Sequence, residues 1–198
     1  MTSAMPPRWA EILLCLVLDS RDQATVSGDL LEEFRESIRP TRGPSAADRW
    51  YVRQVIGFVV RSNVIPALLF AGAFVARTAL DWLQPPADFR TRSLISTLIA
   101  TSILLVSGFF ASWKSGTILA GGLAGIATTA LAALLSTLGA SGLLAIWHDP
   151  TTLQAIEGSG GLSEVFFLPV MLIVPGLLLG GIGGAVGTVV HWGVRRSS

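Results

Sequence analysis

Between Ser93 and Val194 the sequence carries only four charged residues, Lys114, Asp149, Glu157 and Glu164. A water-soluble core cannot use so long an apolar stretch with so little polar surface, whereas each crossing of a bilayer needs about 20 predominantly apolar residues. The N-terminal end is different: Met1 to Arg61 holds eight Arg and eight Asp or Glu. Over the whole chain 14% of residues are charged, against roughly 25% in soluble domains. This distribution predicts an all-α integral membrane protein, a four-helix transmembrane bundle preceded by a small cytoplasmic helical hairpin. Residues 1–44 are expected to form the helical prefix and linker. Residues 45–198 form the membrane domain, with spans near 61–83, 93–112, 117–138 and 165–190.

Several function classes are excluded at this level. The formal net charge of +1 gives no field that draws in nucleic acid. Cys15 is the one cysteine, so neither an intrachain disulfide nor a Cys-rich zinc site can form. Ile12, Leu13 and Leu14 do not make a lipobox before it, and a buried thiol on a helix is expected. Residues 9–18 are not expected to be a signal peptide. Glu11 interrupts the apolar run, and Asp19-Ser20-Arg21-Asp22 stands where small cleavage-site residues would be needed.

In the prefix, a first helix is expected from Pro6-Pro7 to about Asp19-Ser20, since proline is tolerated where the helical N–H is unpaired anyway. A second helix is expected over 21–38. Val26, Leu30, Phe34 and Ile38 recur every four residues, with Asp29, Glu32, Glu33, Arg35 and Glu36 on the remaining surface. This stripe is expected to close on the first helix. Residues 39–45, with two prolines and a glycine, read as a linker. Ser45 then reads as an N-cap with Asp48 as its capping-box partner. The third helix is expected to run unbroken into the first span, with Trp50, Tyr51, Arg53 and Arg61 as headgroup-level anchors.

The first span is short. Residues 62–76, read as its apolar stretch, reach about 23 Å at 1.5 Å per residue, less than the ~30 Å hydrocarbon core. Arg61 and Arg77 are therefore expected to snorkel from opposite ends. Arg77 and Asp81, four apart, are the intramembrane ion-pair candidate. Trp82 is expected to close the span at the far interface and Pro85-Pro86 to end the helix. Trp113 to Gly116 reads as a tight turn, and about 148–163 as a solvated loop. With the N-terminus inside, Arg42, Arg49, Arg53, Arg61, Lys114, Arg195 and Arg196 are cytoplasmic, and Arg77, Arg90 and Arg92 are outside. The excess favours cytoplasmic N- and C-termini in a bacterial inner membrane.

Spacing of four recurs among glycines: Gly121 and Gly125, then Gly176, Gly180 and Gly184, then Gly183 and Gly187. Small residues at this spacing let helix backbones approach closely in lipid. They serve either to pack spans three and four together or to dock a second copy or a partner membrane protein. Pro66, Pro169 and Pro175 lie inside spans and can kink them. His148, Asp149, Glu157 and Glu164 are too scattered for a metal site, and Gly158 to Gly161 lacks the Lys-Ser/Thr of a phosphate loop. No catalytic, cofactor-binding or metal residues are expected.

The segments PPRWAEILL at 6–14, SGDLLEEFRE at 27–36 and RWYVRQV at 49–55 resemble the type-2 permease prefix domain, the N-terminal module of certain bacterial ABC transporter permeases. The resemblance covers about residues 6–60. Full permeases of that group continue into a large extracytoplasmic domain, which does not follow here. The resemblance therefore implies a stand-alone prefix-containing membrane protein, an accessory or relative of such permeases. Non-enzymatic action through interactions is the leading expectation, with the bilayer and a homo-oligomer or second membrane protein as partners. The rival is a small oligomeric transporter lined by Ser96, Thr97, Thr101, Ser102, Thr128, Thr129 and Ser136. Those hydroxyls can equally be satisfied by carbonyls of their own helices.

Overall fold

A computed structural model describes residues 5–85, 88–159 and 161–197. Among these residues there is no strand, and four helices are long and apolar enough to cross a membrane. Pro86 of the expected helix stop, Gly160 of the loop glycines and the side chain of Glu164 lie outside the described residues.

Helix α1 (Arg8–Val17) follows Pro7, and α2 (Gln23–Glu33) follows a short turn. The helix does not stop at Ile38. It passes through a π turn, Phe34–Ile38, into α3 (Arg39–Arg42). The expected linker is thus helical as far as Arg42, and Pro40 is accommodated. Proline has no N–H and its ring crowds the carbonyl four residues back. The wider π turn loosens the ladder just ahead of it, with the Arg39 N–H reaching back to the Phe34 carbonyl. Thr41 Oγ1 donates to the Ser37 carbonyl at 2.6 Å. The break is confined to Gly43, whose φ of +77° needs glycine. Pro44 then opens α4 (Pro44–Leu83) at the first helical position, so Ser45 lies inside the helix and makes no cap.

The prefix core has three walls. Ala10, Leu14 and Leu18 come from α1, Phe34 and Ile38 from the π turn, and Ala47, Tyr51 and Val55 from the first turns of α4. Val26 and Leu30 pack at its edge, so the four-residue stripe faces inward. Full burial of side chains such as Leu14 and Phe34 stabilises by about 1.5–3 kcal/mol each. Tyr51 is therefore not a headgroup anchor. It is wholly buried, with its ring edge-on to Phe34 at 5.7 Å. The spacing 47, 51, 55 puts it on the face that α1 covers. Trp50 is half-buried against the same core, whereas Arg53 and Arg61 are exposed. Cys15 is half-buried rather than buried.

Helix α4 is one unbroken helix of 40 residues that includes Pro66. Helices α5 (Arg90–Ser115) and α6 (Ile118–Ile146) follow. The expected four-residue turn is shorter, because Trp113, Lys114 and Ser115 remain helical and the chain reverses at Gly116, φ +75°. The expected loop after α6 contains α7 (Pro150–Gly158). Ile156 of α7 covers Trp82, which is buried with Ala140 and Val165 instead of closing α4 at an interface. Helices α8 (Gly161–Met171) and α9 (Ile173–Ser197) are separated at Leu172. Pro175 has no N–H for the Met171 carbonyl, which loosens the ladder there.

Asp149 starts α7. Its carboxylate accepts from the backbone N–H of Thr151 and Thr152, each at 3.1 Å, and from both threonine hydroxyls. These bonds, the Thr151 hydroxyl first, hold its pKa well below the usual carboxylate range. A depressed folded-state pKa contributes stability above the ordinary value of about 3.9. That contribution is lost only as pH falls through the lower folded value. Asp149→Ala is expected to speed hydrogen exchange at Thr151 and Thr152 at neutral pH. The wild type is expected to keep its protection to below pH 4.

Candidate functional site

The glycines place α9 against α5 and α6 together. A Cβ on Gly125 would overlap the Gly176 carbonyl oxygen, and one on Gly121 would lie 2.6 Å from the Gly180 oxygen. Gly184 meets the Gly121 Cα, and Gly176 meets Thr129. Gly183 and Gly187 face a different helix, with the Leu105 and Phe109 carbonyls of α5 against them. Gly108, not singled out by spacing, meets Gly180. All seven candidates are thus occupied within the chain.

This close association leaves α4 to lean mainly on α6, and the seam between α4 and α5 is looser. A cleft of about 580 Å³ opens there. Ile65, Pro66 and Leu69 of α4 form one wall and Val106 and Phe110 of α5 the other. Leu123 and Ala124 of α6 form the back, and Leu16 and Val17 of α1 close one end. Lys114 lines the cleft at that same end.

Two buried polar groups, Asn63 and Thr128, and the half-buried Ser107 tie the helices together. Thr128 Oγ1 donates to Asn63 Oδ1 at 3.3 Å, and Asn63 Nδ2 donates to the Val59 carbonyl at 2.8 Å. Ser107 Oγ lies 3.2 Å from Thr128 Oγ1, and it donates there because the threonine proton is already used. The chain of donors crosses α5, α6 and α4 in turn. In the sequence the one signal for Asn63 is a lone amide in 62–76, a stretch whose composition is otherwise that of an apolar span. Most other hydroxyls are bonded within their own helices. Thr97 donates to Ser93, Ser102 to Leu98 and Thr129 to Gly125, each at 2.8 Å.

Beyond the cleft, Ala67, Phe70, Leu104 and Ala132 form a buried apolar layer. A second crevice of about 270 Å³ follows on the same seam, lined by Ser93, Thr97 and Thr101 of α5, Arg77 of α4 and Pro175 of α9. Near it lies the ion cluster. Arg77 Nε and Arg92 Nη1 each reach Asp81 at 3.2 Å, on opposite carboxylate oxygens, and Asp81 is 3% exposed. The Arg77–Asp81 spacing signalled the first pair. Arg92, counted in the sequence as a basic flank, also donates to the carbonyls of Leu80 and Gln84 at 2.9 Å. It thereby satisfies the end of α4.

The opposite end of the bundle gathers separate chain regions. The Ser20 N–H donates to the Lys114 carbonyl at 3.3 Å, and Arg195 Nη2 donates to Ser20 Oγ at 3.0 Å. His191 Nδ1 lies 2.6 Å from the Trp113 carbonyl. The prefix, the α5–α6 turn and the end of α9 therefore meet. Among the described residues, no three His, Cys, Asp or Glu side chains come together to hold a metal. Compared with known proteins, the chain matches no family model, no curated protein and no solved structure.

Proposed function

We propose that this chain is a multi-pass bacterial inner-membrane protein that acts through interactions rather than catalysis, with both termini cytoplasmic. The observation that carries the reading is α4. Its first turns are a wall of the prefix core, and the same rigid helix continues as a wall of the cleft. A partner held by the prefix is thereby mechanically joined to the bundle. The four long apolar helices support membrane insertion, and so does their outward surface. Ile65, Leu98, Leu119 and Val189 are each more than 60% exposed, in keeping with lipid as the solvent. The meeting of prefix, α5–α6 turn and C-terminal end agrees with the excess of Lys and Arg on one side. The prefix motifs at 6–14, 27–36 and 49–55 support, by resemblance, a relation to ABC transporter permeases. The docking face is the outer side of α1, where Trp9 and Ile12 are 53% and 60% exposed.

The test is affinity capture from carbonate-washed membranes in mild detergent, comparing wild type with a Trp9→Ala/Ile12→Ala variant. A protein co-purifying with the wild type and lost in the variant is expected. Recovery of the chain alone from both would sink the interaction reading. A small oligomeric transporter is the second reading. It is favoured by the two crevices stacked end to end on one seam with a single apolar layer between them. Solute flux in proteoliposomes that responds to Phe70→Ala would support it.

A further inference from the structure

The larger cleft has the size of a ligand site, since pockets that enclose small molecules run about 300–1,000 Å³. Its chemistry narrows the occupant. The walls are mainly aliphatic and aromatic. Of the polar lining groups, Asn63 and Ser107 are tied to Thr128 behind them, and Ser62 and Ser102 donate to carbonyls of their own helices. An occupant needs no polar group at that depth. Among the described residues, no Asp or Glu lines the cleft, and Lys114 is its one cation. Lys114 makes no ion pair among the described residues. An ammonium at one end of an apolar slot, with no carboxylate opposite, complements a single anionic group carried on a hydrocarbon chain.

The dimensions agree. From Lys114 to Ser102, the limits of the cleft along α5, the helix rises about 18 Å at 1.5 Å per residue. That is close to half of the ~30 Å hydrocarbon core, the depth of one leaflet. The rims are open, with Ile65 and Leu69 of α4 and Val106 and Phe110 of α5 all exposed. A lipid chain can therefore enter sideways.

We infer that the cleft between α4 and α5 holds one acyl chain of an anionic membrane phospholipid, with its phosphate at Lys114. The inference rests on the membrane reading above. In that setting the lipid fills the looser seam and joins the α1 end to the bundle through Leu16 and Val17.

Native mass spectrometry of the full chain in mild detergent, titrated with phosphatidylglycerol or phosphatidylcholine, tests this. A single retained phosphatidylglycerol is expected, with phosphatidylcholine retained about fivefold less, and Lys114→Gln is expected to remove that preference. Lys114→Arg is expected to keep it. Val106→Trp fills the slot from an exposed position and is expected to abolish retention of both lipids without lowering Tm. Equal retention of the two lipids by the wild type, or retention unchanged in Val106→Trp, would overturn the inference whatever the other variants do. Carbonate extraction of the same cells separates the two readings. A membrane-embedded protein without bound lipid overturns the lipid site alone, whereas a protein released by carbonate overturns both.

Discussion

Gly125→Ala is expected to lower Tm sharply, while Gly142→Ala on the same helix leaves it unchanged or raises it. The two substitutions are chemically identical and differ only in what the new methyl meets. At Gly142 nothing lies within 4 Å, so the gain in helix propensity, about 0.8–1.0 kcal/mol from glycine to alanine, is not opposed. At Gly125 the methyl would overlap the Gly176 carbonyl oxygen, with the Gly180 Cα at 3.1 Å. Those atoms are backbone of α9, so no side chain can turn away and the helices themselves must separate. Overpacking costs about 1–3 kcal/mol in ordinary cores, and a backbone-on-backbone overlap belongs at the upper end or above. Because α9 also meets α5 through Gly183 and Gly187, a displacement at Gly125 spreads to that second seam. Thermal unfolding in detergent, followed by tryptophan fluorescence, measures both variants. Equal Tm values would mean that α6 and α9 are not in backbone contact.

The parts of the fold legible in the sequence were those governed by composition and period. The charge gap after Ser93 announced the long apolar helices. The stripe Val26, Leu30, Phe34 and Ile38 gave the inward face of the prefix. Local chemistry that depends on a distant partner was not legible. Pro40 reads as a breaker until the π turn ahead of it is seen. Asp149-Pro150 is an N-cap followed by a first-turn proline, a legible start signal that the surrounding glycines and polar residues obscured. Tyr51 beside arginines has the composition of an interface anchor, yet the four-residue spacing with Ala47 and Val55 put it under α1. The cleft was the least legible feature of all. It exists because glycines draw α5, α6 and α9 together and leave α4 on the looser side, and no local pattern along α4 reports that.

Asp81→Ala is the second change with a large expected effect. The carboxylate is 4% exposed at its side chain and holds Arg77 and Arg92, themselves 13% and 28% exposed, at 3.2 Å each. Removing one member of a buried ion pair costs about 3–5 kcal/mol, because the remaining charge is left uncompensated. The carboxylate bridges α4 and the start of α5, so the loss is expected within that range. Asp81→Asn keeps the shape and removes the charge, and it is expected to lose most of the same stability. The two arginines are not equivalent. Arg77 pairs within α4, whereas Arg92 starts α5 and also holds the Leu80 and Gln84 carbonyls. Arg92→Gln therefore frees the end of α4 and is expected to lower stability beyond the loss of its pair with Asp81. In double-mutant cycles, each arginine change is expected to cost less once Asp81 is Ala than when it is present, a coupling of about 0.5–3 kcal/mol. Additive losses, or an Asp81→Ala effect within about 0.5 kcal/mol of zero, would mean that these three groups do not form one buried cluster. The α4–α5 connection would then rest on the apolar layer of Phe70 and Leu104 and on the hydrogen bonds of Arg92 to the end of α4.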